Sequence, residues 1–361
     1  MKIAYFAPIY FDDLKQRPQY IAEELSKYHE IYYIEPTISF IRYLLKGGRH
    51  CKGISYDINS KLHIIRLDGS MTLHKSITLF DICNLNSISE KWQLRKLIQE
   101  CDIVWVGYPG WYSVIKSYKN KKIIYDKMDD NAQLAHMKSI RKYIQLVEPK
   151  LLEKSDRIIV SSQKFYEELQ TKYKNITLMR NAVEKKDFQG VPISFEPFEM
   201  KEYYNYAYFG TIGDWFDFNV IKQILIQHKN NKIYLIGNNL VEKYVDERVI
   251  YIDSLTKNEL FRYVMQFDIF LYPFKQDNFL ESINPVKIYE YIALNKPIIA
   301  VRSKETEVLK DYCYLYDNKI PKNIYLKRPL INTEELLKFL DKNSWENRIK
   351  NLRKISDGEK K

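Results

Sequence analysis

Cysteine is scarce in this sequence. The four present, Cys51, Cys83, Cys101 and Cys313, are scattered, with no CxxC and no paired spacing. Neither a zinc site nor a disulfide framework is suggested by that pattern, and a reducing compartment fits it best. Long apolar runs are missing as well. No stretch approaches the roughly 18 residues that a membrane-spanning helix needs. The opening MKIAYFAPIY has neither the basic flank nor the extended apolar core of a secretory signal, so the expectation is a cytoplasmic chain. Glycine (11) and proline (12) are few, which argues against long disordered tails. No short-period repeat is visible.

What is present is an ordinary globular composition, 45% hydrophobic. The chain, at 361 residues, is long enough for two domains of roughly 150 to 200 residues, each with its own core. Basic residues outnumber acidic ones, 57 to 46, for a formal charge of +11. Such a balance suits a polyanion, a phosphate-bearing small molecule or an anionic membrane surface. The basic runs RYLLKGGRHCK (42–52), KSYKNKK (116–122) and ENRIKNLRKISDGEKK (346–361) are dispersed and not interleaved with aromatics. No nucleic-acid-binding motif accompanies them, so nucleic acid is not an expected partner. The stretch ISFIRYLLKGGRHCKG (38–53) mixes apolar positions with Arg42, Lys46, Arg49 and Lys52. It reads in two ways, as an interfacial helix on an anionic inner membrane or as a surface loop with a short helix.

KIAYFAP (2–8), IYYIEP (31–36), KLHIIRL (61–67), DIVWVGY (102–108), KKIIYD (121–126), DRIIVSS (156–162) and ITLM (176–179) read as strands, with helical patterns near 17–28, 137–153 and 163–173. Apolar runs alternating with amphipathic helices indicate buried parallel strands joined by crossovers, a doubly wound α/β domain. Periodicity lapses in EKKDFQGVPISFEPFEMKEYYN (184–205), where a linker is placed. The alternation resumes with YAYFG (206–210), KIYLIGN (232–238), RVIYID (248–253), DIFLYPF (268–274) and PIIAV (297–301), with helices near 217–228 and 257–266. The predicted division is 1–185 for a first Rossmann-like domain, 186–205 for the linker and 206–343 for a second such domain. Residues 344–361 form a C-terminal helix placed to cross back to the first.

The segment NPVKIYEYIALNKPIIA (284–300) sets two charges, Lys287 and Glu290, three apart in an otherwise apolar helix. Asn284 is a good N-cap and Pro285 suits the first helical position, while Asn295 and Pro297 mark the end. A helix that follows a strand of a parallel sheet begins at the sheet's carboxyl edge, where open α/β folds bind ligands. Its free N–H groups and dipole attract an anion such as phosphate. Lys287 adds a positive charge there, and Glu290 can accept hydrogen bonds from two ribose hydroxyls. The same spacing also makes an ordinary intrahelical ion pair worth about 0.2 to 0.5 kcal/mol. In YFGTIGDWFDF (208–218), Gly210 and Gly213 form either a turn that brings backbone to a ligand or simply a tight strand-to-helix turn. Asp126, Asp129 and Asp130 in DKMDD (126–130) offer a DxD-like Mg²⁺ site or a helix cap.

YFGTIGDWFDF, DIFLYPF and NPVKIYEYIALNKPII resemble the C-terminal signatures of family-four glycosyltransferases of the GT-B fold. RPQYIAEEL (17–25), IIYDKMDD (123–130), SDRIIVSSQKFYEEL (155–169) and MRNAVEKKDF (179–188) resemble that family's bacterial cell-surface polysaccharide branch. The match runs through most of the chain in order. The resemblance implies an α/β GT-B architecture, two Rossmann-like doubly wound parallel-sheet domains facing a central cleft. The second would hold a nucleoside-diphosphate sugar, and the first a saccharide or lipid-linked saccharide acceptor.

On this sequence the resemblance makes Glu290 the ribose ligand and Lys287 the diphosphate ligand. It puts the backbone of Gly210, Thr211 and Ile212 near the diphosphate and Asp253, Ser254 and Leu255 beside the base, and it draws Ser282, Asn284, Pro285 and Val286 into the donor site. Asp129 and His136 join Lys287 and Glu290 as catalytic candidates, and Arg17, Asp126, Asp130 and Arg180 fall to the acceptor side. Three positions depart from the family pattern. Ser282 stands where a second Glu is expected, with Glu281 one residue off. The basic pair after Gly210 is missing, which leaves more phosphate charge to Lys287 and to Arg17 or Arg180. Asp129 replaces a strand-end His.

The family implies transfer with retention of anomeric configuration and without a metal, Mg²⁺ at Asp126, Asp129 and Asp130 being the alternative. The competing readings are a nucleotide-sugar epimerase or sugar phosphorylase on the same fold, and a non-catalytic basic protein that binds nucleic acid or a membrane.

Overall fold

The computed structural model describes residues 1–37, 53–68, 85–135, 137–196, 198–320 and 331–358. The chain divides into two compact units, Met1–Arg180 with Asn351–Lys361, and Asn181–Lys350. The first unit runs β1 (Lys2–Phe6), α1 (Arg17–Ser26), β2 (Glu30–Ile34), β3 (Ile54–Asn59), β4 (Leu62–Arg66), α2 (Leu85–Glu100), β5 (Ile103–Val106), α3 (Tyr112–Ile115), β6 (Lys122–Lys127), α4 (Asn131–Leu134), α5 (Lys138–Lys154), β7 (Arg157–Val160), α6 (Gln163–Leu169) and β8 (Ile176–Leu178). Its strands lie in the order β3-β4-β2-β1-β5-β6-β7-β8. The central strands are near-continuous apolar runs because helices cover both faces of the sheet; Ala4, Tyr5 and Phe6 are fully buried.

All pairs in this sheet are parallel except β3 with β4. The antiparallel edge strand β3, mostly exposed, and the helix α2 were not expected from the sequence pattern. Strand order reverses between β1 and β5; β1 is parallel to both its neighbours, with Ala4 opposite Tyr32 of β2 on one side and Val104 of β5 on the other. In an open α/β sheet such a reversal parts the loops at the carboxyl ends and leaves a crevice.

The second unit repeats this plan with β9 (Asn205–Phe209), α7 (Phe218–Gln227), β10 (Lys232–Ile236), β11 (Val249–Ile252), α8 (Lys257–Val264), β12 (Ile269–Tyr272), α9 (Val286–Ala293), β13 (Ile298–Val301), α10 (Lys304–Glu307), β14 (Tyr314–Tyr316) and α11 (Thr333–Lys342). Its six strands, in the order β11-β10-β9-β12-β13-β14, are all parallel. Here the reversal falls between β9 and β12. The turn after β9 and the loop from β12 into α9 are therefore neighbours at the carboxyl edge.

The segment 186–205 is not a free linker. Val183, Phe188, Val191 and Tyr204 are buried in the second core, Phe188 stacks on Phe261 at 4.8 Å, and the Ser194 carbonyl accepts a bond from the Asn295 side chain at 3.0 Å. The boundary lies at Arg180/Asn181. Periodicity failed to reveal this packing because the segment crosses the unit as turns and single anchors rather than as a regular element. The closing helix α12 (Trp345–Gly358) starts in the second unit and ends among residues grouped with the first. Among the described residues no helix is long and apolar enough to cross a membrane. Residues 38–52, read as an interfacial helix or a loop, lie outside the described residues.

Candidate functional site

In the second unit α9 begins one residue later than its sequence suggests, and Asn284 does not cap it. Pro285 takes the cap position without a side-chain bond. Asn284 is buried: its Oδ1 accepts from the Asn181 N–H at 2.7 Å, its carbonyl accepts from Asn181 Nδ2 at 2.9 Å, and its Nδ2 donates to Glu305. Three buried bonds to distant partners outweigh one local cap bond of about 1 kcal/mol. At the other end Asn295 adopts φ +51°, the left-handed conformation that terminates helices.

Lys287 and Glu290 do form an ion pair, Lys287 Nζ donating to Glu290 Oε2 at 3.1 Å. It is not the isolated surface pair that spacing allows. Glu290 is only 6% exposed, and Lys257, at the start of α8, approaches its other oxygen, Oε1, at 3.3 Å. Burial pushes the Glu290 pKa up, but the two ammonium groups and their hydrogen bonds outweigh it, leaving the carboxyl below its ordinary value and ionised. Lys287, 31% exposed, reaches across to the end of β9, where its Nζ lies 5.2 Å from the centre of the Phe209 ring.

Gly210 follows β9 with φ +141°, and a Cβ there would meet Lys287 Cε at 3.2 Å. Gly237, after β10 with φ +130°, would put a Cβ 2.5 Å from the Gly210 carbonyl. The two glycines thus let neighbouring strand ends come close beneath Lys287. Of Gly210, Thr211 and Ile212, expected to bring backbone near the diphosphate, two have their N–H groups already bonded. The Gly210 N–H bonds the Ile236 carbonyl, and Ile212 is paired on both sides, to Asn238 and Leu240, because the strand ladder continues into the turn. Exposed Thr211 keeps an N–H with no partner among the described residues.

Asp253 and Ser254 are exposed at the end of β11, and Ser254 Oγ donates to Asn238 Oδ1 at 3.2 Å. Leu255 packs on the core. Pro285 is buried and Val286 half-buried. Ser282 is buried and spends its hydroxyl on the Phe279 carbonyl at 2.6 Å. Glu281 accepts from the Lys304 N–H at the start of α10, at 3.1 Å. Neither position holds out a carboxylate in the manner of the family's second Glu.

In the first unit the sequence groups three carboxylates that the structure separates. Asp126, fully buried, is gripped by Arg17 through Nε at 3.2 and 3.1 Å and Nη2 at 2.7 Å, and Arg17 Nη1 donates to the Met179 carbonyl. Arg17 and Asp126, expected on the acceptor side, are therefore buried with each other. A charge pair out of contact with water needs such bidentate partnership to be tolerable. Asp130 caps α4, accepting from the Gln133 N–H at 3.0 Å. Arg180, half-buried, donates to Gln163 Oε1 at 3.3 Å.

Asp129 alone keeps a carboxylate with no hydrogen bond among the described residues. Desolvation raises its pKa to about 6, with Asp126 and Asp130 adding to the rise and Arg17 and Lys127 opposing it. Its side chain retains some solvent access, so the group is both desolvated and reachable. His136 lies outside the described residues. Among the described residues no three His, Cys, Asp or Glu side chains are placed to hold a metal ion.

Two residues of this charge cluster were not among the sequence candidates, Lys257 beside Glu290 and, behind it, Asp187, whose Oδ2 lies 2.5 Å from Lys257 Nζ. The one local signal was a lysine at the first position of a helix, directly after the Thr256 cap, where the dipole disfavours a cation.

No family model matches the chain. Over 233 residues it is 23% identical to TuaH of Bacillus subtilis, provisionally named a teichuronic acid biosynthesis glycosyltransferase, and the match spans 59% of this chain and 59% of that relative. Among solved structures it resembles a sucrose-phosphate synthase from Thermosynechococcus elongatus, with a TM-score of 0.67 and 13% identity over 99% of this chain and 98% of the other. An E. coli trehalose-6-phosphate protein bound with UDP-2-fluoro glucose gives 0.66 and 11% over 99% and 98%. Anabaena Alr3699/HepE in complex with UDP and glucose gives 0.60 and 10% over 99% of both chains. The chain thus has the two-sheet α/β architecture of GT-B glycosyltransferases, and its sequence is similar to that of a glycosyltransferase named for teichuronic acid biosynthesis.

Proposed function

We propose that this protein is a retaining glycosyltransferase of cell-surface polysaccharide synthesis, of the family-four type, which moves a sugar from a nucleoside diphosphate to a saccharide carried on a lipid. The observation that carries this reading is the buried, ionised Glu290 beside Lys287 at the start of α9, next to the glycine turn at the switch point of the second sheet. A carboxylate held charged in a dry setting can take two ribose hydroxyls, and a lysine within the same helix turn suits the diphosphate.

In the reaction the bond from the sugar's anomeric carbon to the diphosphate breaks as the bond to the acceptor oxygen forms. The acceptor's proton passes to the departing diphosphate oxygen, whose charge Lys287 and the first N–H groups of α9 stabilise. Asp129 orients the acceptor hydroxyl in the first unit. The reaction is assigned no metal, because Asp126 is committed to Arg17 and Asp130 to a helix end. The charge of +11 supports a cytoplasmic enzyme that touches the anionic inner membrane, where a lipid-linked acceptor resides.

The test is a thermal-shift screen with UDP, GDP, dTDP, ADP and their sugars, followed by product analysis with and without acceptor. A nucleotide-specific rise in melting temperature is expected, since a ligand that binds only the folded state stabilises it, together with transfer that requires the acceptor. No shift with any nucleotide overturns the reading. Sugar conversion without acceptor points instead to an epimerase, and release of a sugar phosphate to a phosphorylase.

A further inference from the structure

The chain of charges Asp187, Lys257, Glu290 and Lys287 runs unbroken through the second unit, with separations of 2.5, 3.3 and 3.1 Å. The two lysines take different oxygens of Glu290, Lys257 on Oε1 and Lys287 on Oε2. Resting on the donor-site reading above, we infer that Lys257 is a positioning residue that holds Glu290 charged and aimed at the ribose, leaving Lys287 free to turn to the diphosphate.

If Lys287 moves to a diphosphate, Glu290, 6% exposed, loses one of its two ammonium partners. A buried carboxylate left alone either takes up a proton or becomes strongly destabilising. Protonated, it would lose the charge that strengthens its bonds to two ribose hydroxyls and would turn one oxygen into a donor. Lys257 prevents this, because it stays on Oε1 whichever way Lys287 points.

Lys257 is itself held in place. It sits at the first position of α8, where the helix dipole opposes a cation, and is anchored from behind by Asp187. Asp187 belongs to the turn 185–188, fixed by Phe188 stacking on Phe261 of α8 at 4.8 Å with the rings 10° from parallel. The segment expected to be a linker thus serves as a mount for the ribose carboxylate. Among the described residues, the charged groups that act most on Glu290 are Lys257 and Lys287, and Tyr291 is a titratable neighbour.

The experiment compares binding of UDP with that of 2′,3′-dideoxy-UDP by calorimetry, in the wild type, Lys257→Met and Lys257→Arg, with the ADP and GDP pairs run alongside. A lost charge weakens both members of a pair through the diphosphate, so the ratio between them isolates the ribose contact. In the wild type the dideoxy nucleotide is expected to bind at least about tenfold more weakly, the worth of one charge-assisted hydrogen bond. In Lys257→Met that ratio is expected to collapse toward one, and in Lys257→Arg to return. If the wild type discriminates and Lys257→Met does so equally, the role of Lys257 is overturned while the donor-site reading survives. If the wild type binds both nucleotides alike for every base, the ribose role of Glu290 falls and this inference with it.

Discussion

Replacing Asp129 with Asn should make the protein more stable and less active, and the gain in stability should depend on pH in one direction only. The folded-state pKa of Asp129, about 6, lies above its ordinary value of 3.8, chiefly because the carboxylate is desolvated. Between those values the folded protein holds a proton that the unfolded chain has released, so stability falls as pH rises through the window. Below about pH 4 both states are protonated and the penalty is absent; above about pH 6 it is present in full. At about 1.4 kcal/mol per pH unit, the distance from 3.8 to about 6 bounds the penalty at about 3 kcal/mol. Residual solvent access reduces it to about 1 to 2 kcal/mol.

Asn keeps the shape and removes the ionisation. Its melting temperature should exceed that of the wild type by about 2 to 8 °C near pH 8, given about 2 to 4 °C per kcal/mol for a unit of this size. The two should converge near pH 4. Calorimetric melts across that range, paired with transfer assays, measure both halves. A melting difference that is flat with pH, or that grows toward acid, would refute the assignment of a desolvated carboxylate at this position.

Other substitutions test other parts of the site. Lys287→Ala should lower turnover by about 10² to 10³-fold, as loss of a preorganised donor to a developing charge does elsewhere; near-normal transfer would remove Lys287 from the mechanism. Gly237→Ala asks for a Cβ 2.5 Å from the Gly210 carbonyl at φ +130°. It should cost at least about 1 to 3 kcal/mol in strain and weaken nucleotide binding as the Gly210 turn is displaced, seen as a lower melting temperature and a smaller nucleotide shift. Arg17→Met strands the buried Asp126 and should cost about 3 to 5 kcal/mol in denaturant titrations. The double variant with Asp126→Leu should recover much of that loss, which a double-mutant cycle resolves.

The helix end at Asn295, the strands of both sheets other than β3 and β14, and the charge spacing in α9 were legible because each is a local pattern, a run or an interval along the chain. Ile54, Tyr56 and Ile58 of β3 alternate as an edge strand does, but a short alternation with both faces largely exposed is a weak signal. The role of Asn284 was not legible, since its partners, Asn181 and Glu305, stand 103 and 21 residues away. Nor was the fate of the DKMDD carboxylates, because the partner of Asp126 is 109 residues distant.

By itself the sequence determined the architecture and its polarity. Apolar runs alternating with amphipathic helices admit little besides parallel sheets with crossovers, and a helix that follows such a strand must begin at the carboxyl edge. Only the tertiary structure decided which charges are free to act. It buried Asp126 against Arg17, spent Asp130 on a helix end, left Asp129 desolvated with no hydrogen bond among the described residues and set Lys257 beside Glu290. Coulomb energy and desolvation depend on distance through space and on exclusion of water, and neither quantity is written in the interval between residues along a chain.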